Sequence, residues 1–494
     1  MSRREAGILL HLSSLPGTCG IGDLGPAAYR FVDFLKDAGQ TYWQMLPIHP
    51  VDPVFGSSPY SSHSAFAGNP LFLSPEWFID RGLLRETDVG VMVPADQPVD
   101  YSKVIIEKQG WLRQAFKRYF LNGEPKEFQG FCSAEREWLR DYGLFVVIAS
   151  CHGGKAWNTW MEGLKHRDED SCRDFRQEHR QEIRYVEFLQ FCFDRQWKTF
   201  KEYCRKKEIR LIGDIPIYVN FNSADVWSHP ERFKLDGNGE PVYVSGVPPD
   251  YFSATGQRWG TPVFDWPRIK EDGYRWWRRR LRRMFGLFEM IRIDHFRGLV
   301  QYWEIPAEEK TAINGRWVDG PKDDFLEMIR RELPQADIIA EDLGLITPDV
   351  EEIMRKFDLP GMKVMLFGFA EDKTHPYLPR NYPRHCVAYT GTHDNNTVLG
   401  WWRKDASAKE KKNVRAYFGE PFDEQNLPDL FLRDLYASEA GRVIVPLQDI
   451  LGLGEESRMN IPGQTHGNWK WRFSFDQLTD EQAARLRKLS AKRI

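Results

Sequence analysis

Ile291-Arg292-Ile293-Asp294-His295-Phe296-Arg297-Gly298 carries an apolar run into a carboxylate, and the chain repeats the pattern twice. The other two stretches are Ile338-Ile339-Ala340-Glu341-Asp342-Leu343-Gly344 and Tyr389-Thr390-Gly391-Thr392-His393-Asp394-Asn395-Asn396. Continuous apolar runs without alternation suit parallel strands covered on both faces. A carboxylate that follows such a strand lies at its C-terminal end, which in a parallel (β/α)8 barrel is where catalytic residues collect. The three acids stand 47 and 53 residues apart, room enough for a helix and a return strand each time. Three acids on one rim suit a reaction that needs a nucleophile, a general acid/base and a third polarising group.

Reading outward from these stretches, eight short apolar segments qualify as parallel strands, at about 7–12, 42–48, 210–217, 289–294, 337–341, 362–367, 386–391 and 442–447. Their alternation with helical patterning predicts an α/β chain, a single (β/α)8 TIM barrel over residues 1–494. The connections are uneven. A stretch of about 160 residues between the second and third strands is too long for a simple crossover. It predicts a mostly helical inserted subdomain, 74–205, in which Val186, Leu189, Phe193, Trp197 and Phe200 mark one helix face. Residues 220–270, rich in Pro, Gly and aromatics, form a second insertion. There Asp236-Gly237-Asn238-Gly239 signals a turn that Pro241 to Val244 would complete as a hairpin. A third insertion, 402–440, is charged and helical, and no C-terminal β-sandwich is expected.

The net charge of −3 offers no field for nucleic acid or an acidic membrane surface. The basic cluster Arg275, Arg278-Arg279-Arg280 and Arg282-Arg283 reads as the solvated face of a helix covering the barrel. Seven scattered cysteines without a C-x-x-C suit reduced thiols in the cytoplasm, and neither a signal peptide nor a membrane span is expected. No H-e-x-x-H or Cys/His cluster points to a metal, and no cofactor is called for. Aromatic residues make up 14% of the chain, consistent with flat apolar faces for sugar rings.

In order, Arg292-Ile293-Asp294, Glu341 and His393-Asp394 resemble the conserved blocks of the α-amylase superfamily. Gly213-Asp214-Ile215-Pro216-Ile217-Tyr218-Val219 resembles its first block, but with Tyr218-Val219 where ordinary amylases carry an Asn-His pair. That departure points to the 4-α-glucanotransferase (amylomaltase or disproportionating enzyme) branch. Leu12 to Gly17, Gly246 to Phe252, Pro462-Gly463 and Asn468 to Arg472 resemble the same branch, so that the likeness runs from about residue 7 to about 473. Leu366 and Gln464 depart from its usual pattern.

The resemblance implies a retaining double displacement on maltooligosaccharides or starch-like glucans, with Asp294 as nucleophile and Glu341 as acid/base. A retaining enzyme needs those two carboxyl groups about 5–5.5 Å apart. The residues agree with this. Arg292, two positions before Asp294 on a strand, points to the same side. Glu341 requires a raised pKa to donate a proton near neutrality. Asp394, the third catalytic acid, would bind sugar hydroxyls and distort the ring in the transition state, His393 would hydrogen-bond the same sugar, Tyr60 would stack under the sugar losing its bond, and Trp259 would be an acceptor-side platform. Asp214 would orient either sugar or Arg292, Asn460 would contact donor sugars, and Gly246 to Tyr251 would form a lid. Asp342 and His295 read as structural. The expected partners are glucan donor and acceptor, and the expected assembly a monomer or weak homo-oligomer. The alternatives are an α-glucan hydrolase using the same residues, with water as acceptor, and a silent glucan-binding scaffold.

Overall fold

A computed structural model describes residues 4–90, 97–249, 253–371, 374–419 and 423–491 of the chain. Its strands, in chain order, are β1 (Glu5–Leu9), β2 (Tyr42–Gln44), β3 (Arg210–Pro216), β4 (Tyr243–Val247), β5 (Gln257–Pro262), β6 (Met290–Asp294), β7 (Gln301–Pro306), β8 (Arg316–Asp319), β9 (Ile338–Ala340), β10 (Gly361–Val364), β11 (Cys386–Tyr389) and β12 (Arg442–Pro446). Eight of them close a parallel barrel in the order β1-β12-β11-β10-β9-β6-β3-β2. Each of these eight overlaps one of the apolar segments, β2 and β10 ending three residues or more before their segments do, and their residues are almost all buried. The helix Pro26–Asp37 that follows β1 buries Ala28, Phe31, Val32 and Leu35, a 3-1-3 spacing on one face, and begins with Pro at its first position.

Between β2 and β3 the chain is largely helical, and its longest helix, Arg180–Lys206, ties this region to the barrel. Trp197 packs edge-on against Phe288, just ahead of β6, and Phe200 against Trp43 of β2. Gln190 both donates to and accepts from the backbone of Gly68, while Gln196 accepts from Ser74 N–H. Gly68 permits this contact, because a Cβ there would lie 2.2 Å from the Phe193 ring.

The basic helix Arg275–Leu287 buries Trp276, Trp277, Leu281 and Met284 and turns most of its arginines outward. Arg280 lies deepest. It is buried and donates to the carbonyl oxygens of Pro216 (2.7 Å) and Ile217 (3.4 Å), satisfying backbone acceptors where β3 ends.

The second insertion differs from the hairpin expected of it. Asp236 does form the turn, accepting from Asn238 and Glu240 N–H, but Pro241 makes only an isolated bridge to Leu235. Tyr243 to Val247 instead becomes a central strand of a four-stranded antiparallel sheet, β5-β4-β7-β8. Its further partners, β7 and β8, come from the connection after β6. Fully buried Glu304 pins the sheet, accepting from Lys234 (2.5 Å) and Arg316 (2.8 Å). Among the described residues no helix is long and apolar enough to cross a membrane.

Candidate active site

The register of three adjacent barrel strands assembles the centre of the site. Asp214 on β3 lies opposite Arg292 on β6, and Ile293 lies opposite Ala340 on β9. The next residues, Asp294 and Glu341, therefore leave neighbouring strands at the same level of the C-terminal rim. Arg292 spans this row. Its Nη1 donates to both carboxylate oxygens of Asp214 at 2.8 Å, and its Nη2 donates to Asp294 Oδ1 at 2.7 Å. Burial alone would lower the Arg292 guanidinium, but Asp214 and Asp294 outweigh it and hold its pKa well above the ordinary value. The side chains of Asp214 and Arg292 are buried, whereas that of Asp294 is 30% exposed and opens to the cleft.

Asp214 also accepts from the Tyr60 hydroxyl at 2.7 Å. Of the two partners expected for it, sugar or Arg292, the geometry gives Arg292. Asp214 and Arg292, both grouped with the sugar-binding residues from sequence, are joined in one bonded row with Asp294. The Tyr60 ring stacks on His393 at 5.0 Å and 13°, and Trp469 tilts against both rings.

Glu341 is buried and held by backbone. Its Oε2 accepts from His295 N–H at 2.7 Å and its Oε1 from Leu343 N–H at 2.8 Å. Burial pushes its carboxyl up to about 7; Arg292 opposes this and Asp294 adds to it. His295 is read from sequence as structural, yet its backbone belongs to the site: φ of +52° turns its N–H toward Glu341. Its ring meets Trp259 edge-to-face at 4.8 Å and 89°, and burial lowers its imidazole to about 4, so it stays neutral. Asp342 faces away, accepting from Met362 N–H at 2.6 Å and facing Lys363 Nζ at 3.9 Å.

Asp394 lies on the loop after β11, with its side chain 46% exposed. Asn460 donates to its Oδ1 at 2.6 Å, and His393 Nε2 stands 3.4 Å from the same atom. The Asn460 amide thus supports Asp394 first. The loop is anchored from below by buried Asp449, which accepts from Thr390 Oγ1 (2.5 Å) and Val398 N–H (2.7 Å). Nothing in the local sequence marks Asp449 or the Leu343 and His295 amides, because their partners come from elsewhere in the chain or are backbone.

Trp259 is 40% exposed on the edge strand β5. Gly246 and Val247, expected in a lid, are the last two residues of β4. Gly246 is required there because a Cβ would lie 2.2 Å from the Gln257 carbonyl oxygen. Pro248 and Pro249 follow the strand, and positions 250 and 251 of that stretch lie outside the described residues. A cavity of about 430 Å3 lies elsewhere, between the Arg136–Cys151, Arg180–Lys206 and Arg275–Leu287 helices, and includes none of the rim acids. Among the described residues no three His, Cys, Asp or Glu side chains converge as metal ligands would.

This arrangement offers one partly exposed carboxylate paired with a cation and, beside it, a buried carboxyl suited to carrying a proton near neutrality. That is the division of labour of a glycoside-bond reaction run by two carboxyl groups. Comparisons with known proteins agree. A family profile described as 4-alpha-glucanotransferase matches residues 10–479. The 4-alpha-glucanotransferase of Thermus thermophilus is 44% identical, with 99% of this chain and 98% of that protein aligned. The chloroplastic/amyloplastic 4-alpha-glucanotransferase of Solanum tuberosum is 42% identical over 99% of this chain and 86% of its own. Among solved structures, amylomaltase from Streptococcus agalactiae in complex with acarbose superposes with a TM-score of 0.95, at 36% identity and 99% coverage of both chains.

Proposed function

Since this chain belongs to the 4-alpha-glucanotransferase family, we propose that Asp294 is its nucleophile, Glu341 its general acid/base and Asp394 a binder of the reacting sugar. The enzyme transfers α-1,4-glucan segments from one glucan chain to another, with retention at the anomeric carbon. In the first half-reaction an Asp294 oxygen attacks C1 of the donor sugar, the C1–O4 bond breaks, and the proton of Glu341 passes to O4 of the departing chain. In the second, Glu341 takes the proton of an acceptor 4-OH, whose oxygen attacks C1 and releases Asp294. Each half-reaction returns the pair to the state in which the other begins.

The observation that carries this assignment is the pairing at one level of the rim. Arg292 meets the charge of Asp294, while burial raises Glu341 to about 7. In the resting arrangement both Glu341 oxygens accept backbone N–H bonds. Each oxygen keeps a further lone-pair site, so the carboxyl can pass a proton to or take one from a sugar oxygen while these bonds hold it in place. Asp394, exposed and tethered by Asn460, is placed to take up hydroxyl hydrogen bonds that strengthen as the ring distorts.

Tyr60 and His393 form one wall of the donor position. Trp259, exposed on the sheet above β6, is assigned as the acceptor platform, and 220–270 as the region overhanging the cleft. The 74–205 insertion supports the barrel wall, and 402–440 is a further helical insertion. All seven cysteines are free thiols, which supports a cytoplasmic location, and a monomer or weak homo-oligomer is assigned. Cell fractionation and sedimentation velocity test these two assignments. The decisive experiment on function is incubation with pure maltotriose. A ladder of longer chains together with glucose is expected, and shorter products alone would refute transfer.

A further inference from the structure

Arg458 contacts neither Asp294 nor Glu341 in any bond of the site, yet three segments of chain meet on its guanidinium. Nη2 donates to the main-chain oxygen of Asp394 at 2.7 Å, and Nε donates to the main-chain oxygen of Asn460 at 2.8 Å. Nη1 faces Asp405 Oδ2 at 3.7 Å, and that same oxygen accepts from Asn396 Nδ2 at 3.0 Å. Asn460 in turn grips the Asp394 carboxylate at 2.6 Å. One side chain therefore fixes both the backbone of Asp394 and the backbone of the residue that aims its carboxylate.

The segment that begins at Arg458 also closes on itself. Asn468 accepts from Ile461 N–H (3.0 Å) and donates to the Gln464 carbonyl (2.9 Å), and Trp469 N–H returns to the Met459 carbonyl (2.8 Å). Trp469 then packs on Tyr60 and His393. The strap thus meets the site twice, through Arg458 on one side and Trp469 on the other. Asp394 stands on a loop rather than a strand, and loop-borne groups depend on such outer support for their placement.

We propose that Arg458 is a positioning residue for Asp394, setting its carboxylate for the transition state rather than for ground-state binding. The inference rests on the reading of Asp394 as a sugar-binding catalytic group. A planar guanidinium with donors in a fixed fork holds two carbonyls in one mutual geometry, which a lysine ammonium or an apolar chain does not.

The test is a double-mutant cycle with Arg458→Met, Arg458→Lys, Asp394→Asn and Arg458→Met/Asp394→Asn. It is read as kcat/KM for maltotriose disproportionation. Dissociation constants for acarbose, whose cyclitol ring is flattened, and for maltotriose are measured by calorimetry in a Glu341→Gln background. Arg458→Met is expected to lower kcat/KM about 100-fold, the order that a misplacement near 1 Å produces. Acarbose should weaken about tenfold and maltotriose by less than about threefold, because only the former resembles the transition state. Arg458→Lys should recover part of the loss, and in the Asp394→Asn background Arg458→Met should add less than about threefold, since coupled sites are not additive. Losses that multiply in the double variant, or equal weakening of the two ligands, would overturn the proposal. Should Arg458→Met fail to fold, Arg458→Lys carries the same cycle. An active Asp394→Asn enzyme would sink the reading of Asp394 itself. An inactive Asp394→Asn beside a fully active Arg458→Met would sink the positioning role alone.

Discussion

Arg292→Met strands Asp214. In the native site Arg292 gives Asp214 two bonds of 2.8 Å and Asp294 one of 2.7 Å. The Asp214 side chain is wholly buried, and burial already pushes its carboxyl above the ordinary aspartate value although Arg292 pulls the other way. Removing one member of a buried ion pair costs about 3–5 kcal/mol, because the remaining charge has no partner. The Tyr60 hydroxyl still donates to Asp214 and offsets about 1 kcal/mol. Arg292→Met is therefore expected to lose about 2–4 kcal/mol of stability near pH 8, by combination of these magnitudes. Adding Asp214→Asn removes the stranded charge and should restore most of that loss. Activity should stay down by about 10²–10³-fold, because Asp294 still lacks its cation. The sign of the pH dependence follows from the stranded carboxyl, whose folded-state pKa lies above its unfolded one. Its penalty is full above the folded value and fades as pH falls toward the unfolded value near about 4, so Arg292→Met should be closer to wild type near pH 5 than near pH 8. Urea midpoints at matched m values report these differences. A single variant as stable as wild type near pH 8, or a double variant less stable than the single, would refute the charge accounting.

Four other outcomes are expected. Asp294→Asn should keep the fold and lose several orders of magnitude in kcat; a tenth of native turnover would remove Asp294 from the nucleophile's role. Glu341→Gln should be nearly inactive on maltooligosaccharides yet react with a glycosyl fluoride, whose leaving group needs no proton, and a trapped ester should map to Asp294. In the native enzyme the step that uses Glu341 as acid should slow as pH rises through about 7 and that proton is lost, and the fluoride reaction of Glu341→Gln should lack this limb. Trp259→Ala should raise the ratio of hydrolysis to transfer, read from reducing ends and glucose released from maltotriose together; an unchanged ratio at reduced rate would make Trp259 a packing residue.

The barrel is legible in the sequence because its strands are buried on both faces and so become continuous apolar runs, each distinct from the loop that follows. Asp294 and Glu341 are legible because each closes an apolar strand run, whereas Asp394 follows its run on a loop. What sequence hides here depends on register and on distant partners. Asp214 and Arg292 are separated by 78 residues, and their pairing follows from the β3-β6 register. Asn460 supports Asp394 across 66 residues. Strands β7 and β8 escape a periodicity reading because they mix buried and exposed polar positions, Glu304 and Arg316 among them, and because β7 pairs with β4 some sixty residues away. Gly246 looks like loop flexibility in sequence, whereas it marks a close backbone approach within a strand. The left-handed backbone of His295 carries no compositional signal, since glycine is the usual occupant of that conformation.

The two glutamines along the Arg180–Lys206 helix have a consequence for how the molecule comes apart. Gln190 exchanges a pair of bonds with the Gly68 backbone, as a neighbouring strand residue would, and Gln196 takes the Ser74 amide. Peeling the helix away breaks those main-chain bonds at the moment the Phe193 and Trp197 contacts open. Partial detachment is therefore costly at its first step. The helical insertion and the barrel should melt together, giving a single calorimetric endotherm and uniformly slow amide exchange across their seam.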